Sequence, residues 1–149
     1  EKGVLPITDE RMTRFNITLQ DGVDFVIQCL GKMWGGELFV PKIPSYRILD
    51  VAEAINPQAK HEIVGIRPGE KLHEEMITVN DAINTVKFDD YFAITPNSKY
   101  LPWNRERFIN ESNVSSGKIC EFGFSYNSGT NKHFLSVEEI EKLIKNSLN

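Results

Sequence analysis

Stretches with helical periodicity alternate with short apolar runs through the first half of the chain. A helix is predicted after Thr18, a residue type that caps helices, and a second helix at residues 44–55. Residues 37–41 and 61–66 are typical of strands, and a third helix is predicted at residues 71–77. Because helices that alternate with strands pack in layers, the sequence predicts an α/β or α+β layer fold, and we expect α/β. The apolar stripe of the first helix consists of Val23, Val26, Ile27, Leu30 and Met33.

The connection between the two predicted strands limits how they can pair. A strand–helix–strand unit of this length almost always forms a parallel pair. We therefore expect residues 37–41 and 61–66 to lie side by side and parallel, joined by the helix at 44–55. Residues 1–6 carry no helix or strand signal, and the chain does not begin with methionine. These two observations favour a segment of a longer protein.

The second half of the chain is less regular. Further strands are predicted at residues 91–95 and 118–126. The polar stretch between them, residues 96–117, is expected to be an irregular loop. Loops of this length are uncommon inside a compact domain, so we expect this one to be functional, mobile or packed on a neighbour.

The C-terminal region ends in a well-marked helix. Ser136 and Glu139 have the spacing of a capping box, and an apolar helical stripe follows them. Residues 118–149 are therefore predicted to supply a C-terminal strand and helix, and residues 1–149 to form a single domain.

Composition excludes several classes of protein. The 149 residues are 40% hydrophobic and 26% charged, as in ordinary soluble domains. The net charge of −4 argues against nucleic-acid binding, which needs a basic surface. No apolar run reaches the length of a membrane-spanning helix, and no leader sequence is present, so we expect a cytoplasmic protein that does not bind membranes. The three histidines do not have metal-ligand spacing, and no metal is expected.

The strongest candidate for chemistry is the tetrapeptide Arg67-Pro-Gly-Glu70, which follows a predicted strand. Pro and Gly permit a tight turn that a ligand can approach closely. Arg67 could hold a pyrophosphate through its two-pronged guanidinium, and Glu70 could accept hydrogen bonds from a ribose diol. A turn with a solvated ion pair is the alternative. Arg14 could be a second phosphate contact or an ordinary surface arginine.

Several stretches together resemble one family. They are residues 5–15 (LPITDERMTRF), 35–45 (GGELFVPKIPS), 65–77 (GIRPGEKLHEEMI) and 124–131 (FSYNSGTN). The chain is similar, over nearly its whole length, to the C-terminal substrate-binding segment of inverting UDP-N-acetylglucosamine 4,6-dehydratases. These enzymes are extended short-chain dehydrogenases of pseudaminic acid biosynthesis and belong with the polysaccharide biosynthesis proteins. One departure is Asn16, where the family has a bulky aromatic residue.

The resemblance implies a reaction and a division of labour. In the family, NADP⁺ oxidises the sugar at C4, the C5 proton is removed, and water leaves across C5–C6. The hydride then returns to C6 with inversion at C5. A Rossmann half with a glycine fingerprint and a Tyr-x-x-x-Lys pair carries this chemistry, and the C-terminal half binds UDP. The product serves surface glycans or flagellin glycosylation.

The resemblance also implies roles for individual residues. Arg67 would hold the pyrophosphate, Glu70 the ribose, and Arg14 would assist at the phosphates. Glu74, one helical turn beyond Glu70, would line the same site or be a solvated helix residue. The expected partners are UDP-N-acetylglucosamine, a missing N-terminal Rossmann half and further copies of the chain.

The catalytic half of the family pattern is absent from the sequence. The only adjacent glycines, Gly35 and Gly36, follow a predicted helix rather than a strand, and none of the four tyrosines has a lysine four residues on. We therefore expect no catalytic residue, no bound NADP and no activity in this chain alone. Two alternatives stay open: a stand-alone interaction or folding module, and part of a related 4-epimerase or retaining dehydratase.

Overall fold

The chain passes four times between two units in the computed structural model. The described residues are 3–97, 103–111 and 117–147. The first unit takes residues 1–16, 43–74 and 127–149, and the second takes 17–42 and 75–126. The elements in chain order are β1 (Val4–Ile7), β2 (Thr13–Phe15), α1 (Leu19–Leu30), β3 (Leu38–Pro41), β4 (Ser45–Arg47), α2 (Ile48–Ile55), β5 (Lys60–Ile63), β6 (Glu75–Ile77), a 3-10 turn (Ala82–Asn84), β7 (Thr85–Lys87), β8 (Tyr91–Ile94), α3 (Arg105–Glu111), β9 (Lys118–Ile119), β10 (Tyr126–Asn127) and α4 (Val137–Ser147).

The first unit combines two small sheets with two helices. Strand β1 pairs in parallel with β5, and β2 pairs antiparallel with β4, which places Arg14 opposite Tyr46. Helix α2 follows β4 directly and packs against α4. Ser136 and Glu139 form the predicted capping box at the start of α4. The buried apolar residues of this unit include Ile7, Met12, Ala52, Leu135 and Ile140.

The second unit is built on an antiparallel sheet in the order β3-β8-β7-β9. Its core cluster consists of Val86, Phe88, Tyr91, Ala93 and Phe108. Helix α1 begins as the sequence predicts, because Thr18 and Asp21 cap it reciprocally. The apolar stripe of α1 remains exposed: the exposed fractions run from 45% at Val23 to 65% at Leu30.

Two helix predictions need correction. The helix predicted at 44–55 begins at Ile48, because Ser45–Arg47 pair with β2. The helix predicted at 71–77 is wrong, since Glu75–Ile77 form strand β6. Backbone groups just before β6 bond to other parts of the chain: Leu72 O accepts from Thr13 N (3.1 Å), and Glu74 N donates to Ser128 Oγ (2.9 Å). These distant partners satisfy groups that a helix would have paired locally.

The predicted strand pairing is also wrong. Strand β3 pairs antiparallel with β8, and β5 pairs in parallel with Val4–Ile7. Residues 1–6 were expected to lack regular structure, yet Val4–Ile7 form β1. Four residues that include a proline give little strand signal of their own, and β1 acquires its structure by pairing with a segment far along the chain.

The segment predicted to be an irregular loop, residues 96–117, contains a helix. Arg105–Glu111 form α3, whose Phe108 is 1% exposed and belongs to the core of the second unit. Residues 98–102 and 112–116 lie outside the described residues. The strand expected over 118–126 is shorter than predicted, because only Lys118–Ile119 and Tyr126–Asn127 are extended and paired. The prediction of a single domain stays a prediction.

Candidate functional site

The Arg67-Pro-Gly-Glu70 segment forms a closed turn in the first unit. Glu70 N donates to Arg67 O at 3.0 Å, and Gly69 has a φ of +85°. Pro at the second position and a positive-φ Gly at the third are the signature of a type II turn, which no side chain other than Gly adopts easily at that position. The side chain of Glu70 closes the turn further, because its Oε2 accepts from Arg67 N at 2.9 Å.

The Arg67 guanidinium is free within this turn. The residue is exposed, and within residues 3–97, 103–111 and 117–147 its side chain makes no hydrogen bond or ion pair. Glu70 bonds the backbone of Arg67 rather than its guanidinium, so the described turn forms without an ion pair between these two side chains. An exposed guanidinium on a hydrogen-bonded turn can bind an anion without first breaking a protein contact.

Arg14 and Glu74 form a second pair. Arg14 Nε lies 3.4 Å from Glu74 Oε1, and the two side chains are 20% and 45% exposed. Arg14 Nη1 donates to Thr13 O (2.7 Å) and Leu72 O (3.2 Å). Arg14 is thus anchored on two carbonyls, and no hydrogen bond in the described part of the chain uses its Nη2. Glu74 lies in the irregular segment before β6, so its predicted place on a helix is wrong.

All four predicted site residues lie in the first unit, and the structure groups them in two pairs. Contacts link Arg67 with Glu70 and Arg14 with Glu74. No hydrogen bond or salt bridge between the two pairs occurs among the described residues. Residues 67–74 carry the turn and Glu74, whereas Arg14 lies on β2.

Sequence reasoning missed a cluster of hydroxyl and imidazole groups beside Arg14. Thr13 Oγ1 lies 2.8 Å from His73 Nδ1 and 2.8 Å from Ser128 Oγ. Thr13 is 5% exposed and Ser128 is fully buried. The only sequence signal for this cluster was the 124–131 stretch, which is weakly specific by itself.

Tyr46 adds a polar group beside Arg14. It is the neighbour of Arg14 in the β2–β4 ladder. Burial raises the pKa of the Tyr46 phenol, and the positive charge of Arg14 opposes that shift only in part. The phenol therefore stays protonated at neutral pH and can donate a hydrogen bond.

Comparison with known proteins identifies the family. Residues 1–96 match the family described as "Polysaccharide biosynthesis protein". The chain belongs to this family. Within the family, it is 46% identical to the inverting UDP-N-acetylglucosamine 4,6-dehydratase of Campylobacter jejuni (serotype O:2) over 96% of the chain and 42% of that relative. It is 30% identical to the UDP-glucose 4-epimerase of Rickettsia conorii over 95% of the chain and 40% of that relative.

A solved structure agrees with the fold of this chain. Pen from Bacillus thuringiensis superposes with a TM-score of 0.73 at 27% identity, covering 99% of the chain and 43% of Pen. The α/β class predicted from the sequence, and the predicted resemblance to an extended short-chain dehydrogenase fold, are confirmed. The chain spans about 42% of the length of the dehydratase it matches. No helix among the described residues is long and apolar enough to cross a membrane.

Proposed function

We propose that this chain is the UDP-binding portion of an inverting UDP-N-acetylglucosamine 4,6-dehydratase. The observation that carries the proposal is the exposed Arg67 guanidinium, which has no partner among the described residues, on the hydrogen-bonded 67–70 turn. A planar guanidinium binds phosphate oxygens through two parallel hydrogen bonds, and a pre-formed turn reduces the ordering cost of doing so. The 46% identity to the Campylobacter jejuni dehydratase supports this sugar nucleotide over that of the 4-epimerase, which is 30% identical.

Each site residue has a role in this proposal. Arg67 holds the pyrophosphate. Glu70 holds the ribose, because Arg67 N occupies only one of its carboxylate oxygens and the other can accept from a hydroxyl group. Arg14 reaches the phosphates with Nη2, while Nε and Nη1 stay on their protein partners. Glu74 orients Arg14 and lines the site.

The residues of this chain do not fit the NADP that the resemblance implies. The sequence has no glycine fingerprint after a strand and no Tyr-x-x-x-Lys pair. No hydride or proton-transfer step is therefore assigned to this chain. In the proposal, the cofactor and the catalytic residues belong to an N-terminal Rossmann half of the parent enzyme.

The exposed apolar stripe of α1 supports a docking position for the Rossmann half. Val23, Val26, Ile27 and Leu30 form a continuous apolar face of the helix, and each is at least 45% exposed. Contiguous exposed apolar surface marks an interaction site. We propose that the Rossmann half covers this face, and that the complete enzyme is a cytoplasmic homo-oligomer that makes a precursor of surface glycans or flagellin glycans.

The test is an assay of the complete parent enzyme. It is incubated with UDP-N-acetylglucosamine and NADP⁺, and the product is followed by proton NMR. A 4-keto-6-deoxy sugar nucleotide, recognised by its new C6 methyl signal, is the expected result. Formation of the C4 epimer alone would establish the epimerase alternative instead. Absence of both products, together with absence of UDP binding, would favour a stand-alone module.

A further inference from the structure

We propose that the turn at residues 127–131 is the positioning element of the nucleotide site, and that the paired hydroxyl groups of Ser128 and Thr13 are its central groups. This inference rests on the proposed function. It assigns a role to the 124–131 stretch, which the UDP-binding residues leave unexplained.

A chain of hydrogen bonds runs through Ser128. Its Oγ accepts from Glu74 N at 2.9 Å and donates to Thr13 O at 3.2 Å. Thr13 O also accepts from Arg14 Nη1 at 2.7 Å. The buried hydroxyl therefore joins the backbone beside Glu74 to the carbonyl that anchors Arg14. It links the two segments that carry the ion pair.

The hydroxyl protons allow one consistent order through this chain. When Ser128 Oγ donates to Thr13 O, Thr13 Oγ1 supplies the proton of the 2.8 Å contact between the two hydroxyls. Thr13 Oγ1 then accepts from His73 Nδ1, 2.8 Å away, in the tautomer that carries the proton on Nδ1.

The rest of the turn fixes Ser128 in place. A Cβ on Gly129 would lie 2.6 Å from His73 Nδ1, so only glycine lets the imidazole ring pack so closely. Gly129 N donates to Asn127 Oδ1 at 2.7 Å, which closes the turn locally. Asn131 Nδ2 donates to Ile43 O (2.9 Å) and to Ser45 Oγ (3.0 Å), which ties the far end of the turn to the start of β4.

The consequence is that Arg14 and Glu74 depend on a buried network rather than on their own ion pair. The ion pair is partly exposed and stabilises its geometry only weakly. Buried hydrogen bonds in a fully satisfied network hold a more definite geometry. Loss of the network should therefore weaken nucleotide binding through Arg14, without removing any group that touches the nucleotide.

The test compares two substitutions of Thr13 in the complete enzyme. Thr13→Val keeps the shape and removes the hydroxyl, whereas Thr13→Ser keeps the hydroxyl. Thr85→Val is the matched control, because Thr85 is also buried (0% exposed, against 5% for Thr13) and its Oγ1 donates to Asp81 O at 2.8 Å in the second unit. UDP affinity is measured by calorimetry and the melting temperature by differential scanning fluorimetry.

We expect Thr13→Val to weaken UDP binding by about three- to tenfold, the effect of a hydrogen-bond loss. Thr13→Ser should stay within about twofold of wild type, and Thr85→Val should lower the melting temperature without changing UDP affinity. In an Arg14→Ala background, Thr13→Val should lower the UDP affinity little further, because the Thr13 hydroxyl acts on binding through Arg14.

The outcomes separate this inference from the proposed function. Wild-type UDP affinity in a folded Thr13→Val enzyme would overturn the positioning role and leave the UDP site intact. Absence of UDP binding by the wild type would overturn both. If Thr13→Val does not fold, two substitutions of the partly exposed His73 provide a second comparison. His73→Asn, which keeps a donor near the Nδ1 position, should bind UDP more tightly than His73→Leu, and equal affinities would overturn the proposal.

Discussion

Replacing Arg67 with alanine should remove most of the grip on the pyrophosphate while leaving the protein folded. The side chain is exposed and has no protein partner among the described residues, so its loss should change the free energy of unfolding by less than about 0.5 kcal/mol. A hydrogen bond to a charged group contributes about 1.5–3 kcal/mol. One such bond, partly screened by solvent, corresponds to a loss of UDP affinity of about ten- to a hundredfold.

Two further substitutions separate charge from geometry. Arg67→Lys should recover only part of the affinity, because an ammonium group cannot form two parallel bonds to phosphate. Glu70→Gln should lower the UDP affinity less than Arg67→Ala does, because the amide oxygen still accepts from Arg67 N and closes the turn.

Titration of UDP into the complete enzyme by calorimetry measures all three variants against wild type. Arg11→Ala is the matched control, because it also removes one positive charge from the first unit. In the wild type, the Arg11 guanidinium pairs with Asp9 at 2.8 Å. NADP⁺ affinity should be unchanged in every variant. Equal UDP affinity in wild type and Arg67→Ala would refute the reasoning and return Arg67 to the role of a turn residue.

Three other outcomes follow from the sequence and the described residues. The chain alone should neither bind NADP⁺ nor convert UDP-N-acetylglucosamine, and product formation above background in an NMR assay would contradict this. Val26→Glu on the exposed face of α1 should reduce self-association of the isolated chain in analytical ultracentrifugation and impair folding of the complete enzyme; an unchanged sedimentation profile would argue against an interaction face. Burial raises the pKa of the Cys29 and Cys120 thiols and so disfavours the thiolate, the reactive form. Both should react with iodoacetamide more slowly at pH 7 than free cysteine and accelerate as the pH rises above 9, whereas fast labelling at pH 7 would disprove the burial effect.

Features determined by neighbouring residues could be predicted from the sequence. Thr18 and Asp21 are three residues apart and together define the start of α1. The 67–70 turn is equally local, because proline and glycine restrict its backbone directly. At both places the sequence prediction and the structure agree.

Features determined by distant residues could not be predicted. Strand β1 depends on a pairing with β5, more than fifty positions along the chain. The predicted helix at 71–77 is replaced by backbone bonds to Thr13 and Ser128. The Thr13–Ser128 contact joins residues 115 positions apart, a separation at which no periodicity or spacing gives a signal.

The fourfold passage of the chain between the two units affects how the protein must be made. The first unit includes residues 1–16 and also residues 127–149. During synthesis, Thr13 and the backbone of Glu74 would leave the ribosome long before Ser128, their hydrogen-bond partner. These groups of the nascent chain must therefore stay hydrated until residues 127–131 have emerged. A polypeptide that stops before residue 127 would lack Ser128 and could not complete the first unit.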